Sequence, residues 1–363
     1  MALSRFEEHQ AEEFHRTPGA SPGSSRSSRA DCEESNPSQI YRPVPSRSGG
    51  ILVTGSEGQI GSELIPSLRQ RHKNASRVVG LDIQTPQSQN GRRGMHVEVD
   101  VRNRDRLEEV IRHFDIEVVY HLASLLSAEG EAHPDRAWDV NMGGLRNVLD
   151  LAREHDLKVF WPSSIAVFGP NTPKDDTPQR TVLDPTTMYG VTKRSGELLC
   201  RYYHRRYGVD VRSVRYPGLL SYKTIPEGGT TDYAVYMHEQ AAQREDYTCF
   251  LKPDTSLPMM YMPDAIRATL LLMDAEGAEL SVGDSYNLAA LSFTPRELAG
   301  VIRRRVTGFN CFYDPDERQE IADSWPNSID DRAAREDWGW APEFGLDVMS
   351  QDMIAALRMK ELA

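Results

Sequence analysis

The sequence predicts an α/β fold, a doubly wound parallel sheet with a smaller C-terminal lobe. Three observations carry this. Short apolar runs alternate with helical periods from residue 50 to residue 216. The first run ends in a glycine-rich turn that opens the first helix, and after Gly218 the alternation loosens into longer loops and aromatic clusters. Strands that alternate with helices connect by right-handed crossovers, and the sheet they build is parallel and covered on both faces.

The elements follow in order. Residues 51–55 read as a short apolar strand, and 59–72 as a helix with Ile60, Leu64 and Leu68 on one face. Strands are predicted at 77–82 and 95–101, then a helix at 104–114 with Leu107, Val110, Ile111 and Phe114 at helical spacing. A fourth strand spans 117–124, a long helix 137–155, and a strand running into a loop 158–169. A helix at 189–207 and a strand at 209–216 complete the regular part. Beyond it, a loop over 221–232 precedes a helix at 233–245 and a strand at 248–251. A helix at 263–274, a strand at 285–288 and a helix at 294–306, capped by Thr294, follow. Trp325, Trp338, Trp340 and Phe344 read as core of the second lobe.

The chain has 363 residues, enough to bury a core without disulfides or a structural metal. Its net charge of −12 repels polyanions, so neither nucleic acid nor an anionic membrane surface is an expected partner. Cys32, Cys200, Cys249 and Cys311 make no C-x-x-C pair and no ligand spacing, which argues against a disulfide framework or a metal site. That usage suits a reducing compartment. No apolar run approaches the ~18 residues of a membrane span. Residues 1–48 are rich in Ser, Pro and Gly and are expected to be a disordered tail. Glu7, Glu8, Glu12, Glu13, Asp31, Glu33 and Glu34 make this tail too acidic for a typical mitochondrial transit peptide, so a cytoplasmic protein is expected. The predicted division is a tail at 1–48, a dinucleotide-binding domain at 49–218, and a mainly substrate-binding lobe at 219–363 with segments returning to the sheet.

Gly55-Ser56-Glu57-Gly58-Gln59-Ile60-Gly61 lies where a strand gives way to a helix. Gly55 permits the tight turn, Gly58 lets the backbone approach a pyrophosphate, and Gly61 lets helix and strand pack closely. The helix N-terminus supplies amides and a positive dipole end to the phosphates. Asp82 closes the second strand, with Ile83 beside it, where a carboxylate accepts bonds from ribose hydroxyls. It also repels a 2′-phosphate, which favours NAD over NADP, although Arg92 and Arg93 pull the other way. Asp100 and Val101 end the third strand within reach of an adenine. These features make the predicted fold Rossmann-type.

Tyr189 and Lys193 lie four residues apart, on one face of a helix. A phenol near pKa ~10 is a poor base at neutral pH, and a cation held close stabilises its phenolate. Ser164 lies on the loop leaving the preceding strand, where a hydroxyl can steer a substrate oxygen toward the phenol. A Tyr/Lys pair alone is a common accident. Downstream of a glycine turn it becomes specific.

With His121-Leu122-Ala123-Ser124 and Asp139-Val140-Asn141 added, these motifs resemble the extended short-chain dehydrogenase/reductases, which include the nucleotide-sugar 4-epimerases. A narrower likeness lies in the strings at 215–221, 228–234, 257–264, 285–289 and 321–326, which are similar to the short-chain type of L-threonine 3-dehydrogenase. The resemblance implies oxidation of the threonine β-hydroxyl by NAD to 2-amino-3-oxobutyrate. In it Tyr189 takes the hydroxyl proton, Lys193 lowers the phenol's pKa and bonds the nicotinamide ribose, and Ser164 orients the reacting oxygen. It further implies cofactor contacts from Leu122, Ala123, Ser124 and Leu219, a homodimer, and hand-off of the product to a CoA-dependent lyase.

An amino-acid zwitterion needs donors for its carboxylate and an acceptor for its ammonium. Ser127, Thr230, Thr231 and Asp232 are the polar candidates, and Trp325 is placed to close the site. Thr230 and Thr231 serve equally well as turn or cap residues, and Asp232 as an N-cap. Asn141 is expected to brace backbone or act as a relay, Met259 and Met260 to line an apolar wall, and His121 to pack beside the cofactor. The rival readings are a nucleotide-sugar 4-epimerase with tightly bound NAD and a non-catalytic NAD-binding protein. Epimerases of this superfamily carry Arg-Tyr-Phe-Asn where this chain has Arg215-Tyr216-Pro217-Gly218. A zinc-dependent mechanism lacks its Cys/His ligands.

Overall fold

The apolar runs become strands because each alternates its side chains between two helical layers. In the computed structural model, which describes residues 49–72, 75–85, 95–224 and 228–361, six strands precede Pro217. They are β1 (Gly50–Thr54), β2 (Val78–Asp82), β3 (His96–Glu98), β4 (Ile116–His121), β5 (Lys158–Ser164) and β6 (Val211–Tyr216). Six more follow: β7 (Gly218–Leu220), β8 (Tyr247–Cys249), β9 (Leu257–Tyr261), β10 (Ser285–Asn287), β11 (Leu291–Phe293) and β12 (Cys311–Tyr313). The predicted tail, Arg92 and Arg93 lie outside the described residues.

Seven strands form one sheet in the order β10-β6-β5-β4-β1-β2-β3, and every pairing in it is parallel. The order reverses between β1 and β4. In open α/β sheets such a reversal opens a crevice at the carboxyl ends of the strands, where ligands bind. The fold is Rossmann-like, as predicted.

The helices are α1 (Gly61–Arg71), α2 (Arg104–His113), α3 (Ser127–Ala132), α4 (Pro134–Trp138), α5 (Gly144–His155) and α6 (Met188–Tyr207). Beyond the sixth strand come α7 (Tyr233–Ala242), α8 (Met262–Asp274), α9 (Pro295–Arg303), α10 (Arg318–Ser324), α11 (Arg332–Trp338) and α12 (Leu346–Glu361). Period-two alternation sorts the sheet's side chains. Leu52, Val119, Val159 and Trp161 pack with α2, α5 and α6, whereas Ile51, Val53, Tyr120 and Phe160 pack with α1 and α8. Thr294 caps α9 in a reciprocal box with Glu297, as its sequence position suggests.

Two expectations need correction. The long helix predicted at 137–155 is interrupted by a π-helical turn, Asp139–Gly143, between α4 and α5. The turn carries Asn141, whose side chain is committed to backbone elsewhere. Leu145, Val148 and Leu149 of α5 are buried in the chain's own core. Trp338 and Trp340 pack with Ala265, Ile266 and Tyr286 beside the main sheet, while Trp325 and Phe344 pack in a separate cluster with Tyr261 and Met353. Among the described residues there are two further small sheets, β11-β9-β7 and β12-β8, of which only β8 was legible as a strand. Among the described residues no helix is long and apolar enough to cross a membrane.

Candidate active site

The glycine turn between β1 and α1 is built as its spacing requires. Gly55 has a φ of +68°, and a Cβ there would lie 2.7 Å from the Ala123 amide nitrogen. A Cβ on Gly61 would overlap the Gly55 carbonyl, so helix and turn touch backbone to backbone. Gly58 is exposed, and its missing side chain leaves a shallow open cradle over the start of α1. That start has no side-chain cap. The Ser62 and Glu63 amides bond the Gly58 and Ile60 carbonyls, and the exposed turn before them, at the positive end of the helix, suits a pyrophosphate. Asp82 braces the turn: one carboxylate oxygen accepts from the Glu57 amide at 3.0 Å and the other from the Gln84 amide at 3.1 Å.

A cleft of about 540 Å³ opens at the carboxyl ends of β1, β4, β5 and β6. Glu57, Gly58, Gln59 and Ile60 form one end, with Gln84 and Thr85 beside them. Leu122, Ser124 and Ser127 line one wall, and Ser164, Tyr189 and Lys193 form the floor. Leu219, Thr230, Thr231, Asp232 and Trp325 form the opposite wall. The sequence-predicted catalytic and substrate residues thus meet in one space.

The remaining predicted cofactor residues lie behind or beside that space. Gly55, Gly61 and buried Ser56 form the underside of the turn, and the Ala123 amide donates to Thr54 Oγ1 at 3.3 Å. Ile83 is exposed. The Asp100 carboxylate is held by Arg102, whose Nε donates to both oxygens at 3.1 and 3.0 Å, and this pairing lowers its pKa. Val101 is buried, and its carbonyl accepts from Asn147 Nδ2 at 3.0 Å.

Ser164 sits at the end of β5, where its Oγ accepts from the Ala166 amide at 3.2 Å. Thr187 caps α6 through the Gly190 amide at 3.1 Å, which sets the turn that presents Tyr189. Burial pushes the Tyr189 phenol up to about 12, and a hydrogen bond with the Ser164 side chain works against that rise. One helical turn on, Lys193 donates from Nζ to the Pro162 carbonyl at 2.8 Å. Burial brings its ammonium down to about 7. Nζ lies 4.9 Å from the Trp161 ring centre and 5.4 Å from that of Tyr189.

Asn141 ties this floor to the cofactor wall. Its Oδ1 accepts from the Leu125 amide at 2.7 Å, and Nδ2 donates to the Leu125 carbonyl and to Thr192 Oγ1, each at 3.1 Å. Thr192 Oγ1 in turn donates to the Tyr189 carbonyl at 2.8 Å. The backbone-bracing role read from sequence is the one observed. His121 pairs with Thr54 Oγ1 at 2.8 Å through Nδ1, and burial pushes its pKa down to about 3. It is a neutral packing residue. The Asp232 carboxylate takes the Gly229 amide at 2.7 Å, closing a turn before α7 rather than capping that helix through its side chain.

Sequence reasoning missed Lys223. It lines the cleft, and its ammonium pairs at 2.8 Å with Glu63, a buried carboxylate in the first turn of α1 that also accepts from Ser221 Oγ. No local pattern connects residues 160 positions apart. Pro217 and Gly218, noted only as part of a string, also line the cleft.

Residues 51–289 match the NAD dependent epimerase/dehydratase family. A structure of a GalE-like L-threonine dehydrogenase from Cupriavidus necator, holo form, is 53% identical with a TM-score of 0.82, covering 85% of this chain and 99% of that one. An L-threonine dehydrogenase from Phytophthora infestans is 50% identical with a TM-score of 0.83, covering 86% and 99%. An uncharacterized epimerase/dehydratase of Staphylococcus haemolyticus is 45% identical over 313 residues, 86% of this chain and 98% of its own length. Open glycine cradle, uncapped helix start and a Ser/Tyr/Lys floor agree with these likenesses, and the chain belongs to the NAD dependent epimerase/dehydratase family, with NAD as its cofactor.

Proposed function

We propose that the protein oxidises L-threonine at its β-hydroxyl to 2-amino-3-oxobutyrate. The observation that carries this reading is the single cleft in which Ser164, Tyr189 and Lys193 meet both the glycine turn and the polar wall of Ser127, Thr230, Thr231 and Asp232. Bound NAD supplies a hydride acceptor for the substrate Cβ. The glycine turn and the first turn of α1 would hold its pyrophosphate, and Asp82, fixed by two amides, would take its adenosine ribose. Tyr189 takes the hydroxyl proton at Oη, so the substrate loses one proton and one hydride. Ser164 holds the reacting oxygen against the phenol and eases the phenol's ionisation. Lys193, anchored on the Pro162 carbonyl, supplies the positive charge that favours the phenolate and would bond the nicotinamide ribose.

Donors for a substrate carboxylate come from Ser127, Thr230 and Thr231, an acceptor for its ammonium from Asp232, and Trp325 walls the site off. Gly218 stands where epimerases of the superfamily carry a substrate-binding Asn, which favours an amino acid over a nucleotide sugar. The product suits a CoA-dependent lyase, and the acidic, cysteine-poor chain suits the cytoplasm. A homodimer is supported by exposed Val191, Leu198 and Tyr202 along the outer face of α6. Formation of NADH with L-threonine, L-serine, other 3-hydroxy acids and UDP-sugars tests the assignment. Threonine-dependent NADH is expected; UDP-sugar interconversion without net NADH would replace it by the epimerase reading.

A further inference from the structure

We propose that Gly218 is a specificity-determining position, because its lack of a side chain lets the Thr231 methyl seat on the β7 backbone and so fixes how far residues 229–232 close the cleft. The inference rests on the amino-acid substrate proposed above and assigns its size selection to one contact. Gly218 opens β7 opposite Met259 of β9, and it lines the cleft together with Thr230 and Thr231. A Cβ at residue 218 would lie 2.5 Å from Thr231 Cγ2, 2.7 Å from Thr231 Cβ and 2.6 Å from Met259 Sδ.

Two of those three atoms belong to a β-branched side chain, next to its own backbone. Such a side chain has one strongly restricted torsion and cannot swing aside as a long one would. Relief therefore means moving the backbone of the segment. That segment moves as a unit. The Asp232 amide donates to the Gly229 carbonyl at 3.1 Å, and the Asp232 carboxylate takes the Gly229 amide at 2.7 Å. The Val235 amide donates to the Asp232 carbonyl at 3.0 Å, fusing the turn to α7, and the neighbouring Thr230 is buried. A methyl at residue 218 would need ~1 Å of displacement to restore ordinary carbon–carbon contact, and the whole polar wall would retreat from Ser164 and Tyr189 with it.

The test is Gly218→Ala in the full chain, with NAD bound. The expected result is a KM for L-threonine raised at least tenfold with a smaller change in kcat, NAD Kd within threefold, and a reduced preference for threonine over a 3-hydroxy amino acid one methylene longer. Adding Thr231→Ser, which keeps the hydroxyl and removes the methyl, returns KM toward the starting value. A crystal structure of Gly218→Ala reads the displacement of residues 229–232 whatever the substrate proves to be, so failure of the threonine reading and failure of this one are separable. If Gly218→Ala does not fold, Thr231→Ser alone serves, since losing the seated methyl should quicken amide exchange at Gly229–Asp232 and raise KM. An unmoved segment with unchanged KM in Gly218→Ala, or unchanged exchange and KM in Thr231→Ser, overturns the proposal.

Discussion

The Lys193 ammonium donates to the Pro162 carbonyl at 2.8 Å while lying 5.4 Å from the centre of the Tyr189 ring. The strand end, not the phenol oxygen, is therefore its anchor. Burial, the largest cause, pushes the two groups toward their neutral forms, the phenol to about 12 even with the Ser164 hydrogen bond opposing it, and the ammonium to about 7. A working base needs the opposite for Tyr189. Beyond what Ser164 already gives, the charges of Lys193 and of the oxidised cofactor would supply it.

Replacing Tyr189 by Phe keeps the ring and removes the proton acceptor. Turnover should fall by at least 10²-fold, the size of a general-base contribution, while NAD affinity measured by fluorescence titration stays within a few-fold. A variant that retained a substantial rate would refute the base assignment.

The pH dependence has a definite sign. Activity requires the deprotonated phenol, so kcat/KM should rise from neutral toward alkaline pH. Ser164→Ala removes the contact that works against the upward shift of Tyr189. Its rising limb should move to higher pH, and a pH–rate profile of the two proteins checks this.

Glu63 joins the dinucleotide helix to the segment after β7, through Ser221 and Lys223. Glu63→Ala takes the acceptor from the buried Ser221 hydroxyl and the ion partner from the exposed Lys223, and losing the buried contact costs about 1–3 kcal/mol. The threonine KM should rise because the chain leading to Thr230 and Thr231 loosens. Thermal unfolding and steady-state kinetics of the one variant measure both effects.

His121 is buried, and its folded-state pKa is pushed from 6.5 down to about 3. The unfolded chain therefore binds a proton between those values that the folded chain does not, so stability falls as pH drops through this window. His121→Asn removes the titration and should flatten the loss of Tm between pH 6.5 and pH 4.

Much of this was legible in the sequence, for physical reasons. The main strands announced themselves because buried parallel strands are continuous apolar runs, as in Ile51–Val53 and Val118–Tyr120. The glycine turn, Ser164, Tyr189 and Lys193 sat at spacings that geometry demands. What escaped was non-local or marginal. β9 and β11 are short and take their shape from pairing with each other, not from any periodicity of their own. The π turn around Asn141 exists because its side chain serves Leu125 and Thr192, which no window of residues 137–155 contains. The same limit hid Lys223 from Glu63 and Gly218 from Thr231. In each case the informative partner was remote in the chain.

The central claim is that Tyr189 removes the proton of a secondary alcohol lying between it and Ser164. A crystal structure of the Tyr189→Phe protein cannot show that contact, but a complex of the intact protein with NAD and L-threonine can. The account predicts the threonine β-oxygen within about 2.6–3.2 Å of Tyr189 Oη, with Ser164 Oγ as its second partner. A β-oxygen well outside hydrogen-bonding range of the phenol, with threonine otherwise ordered in the cleft, would contradict it.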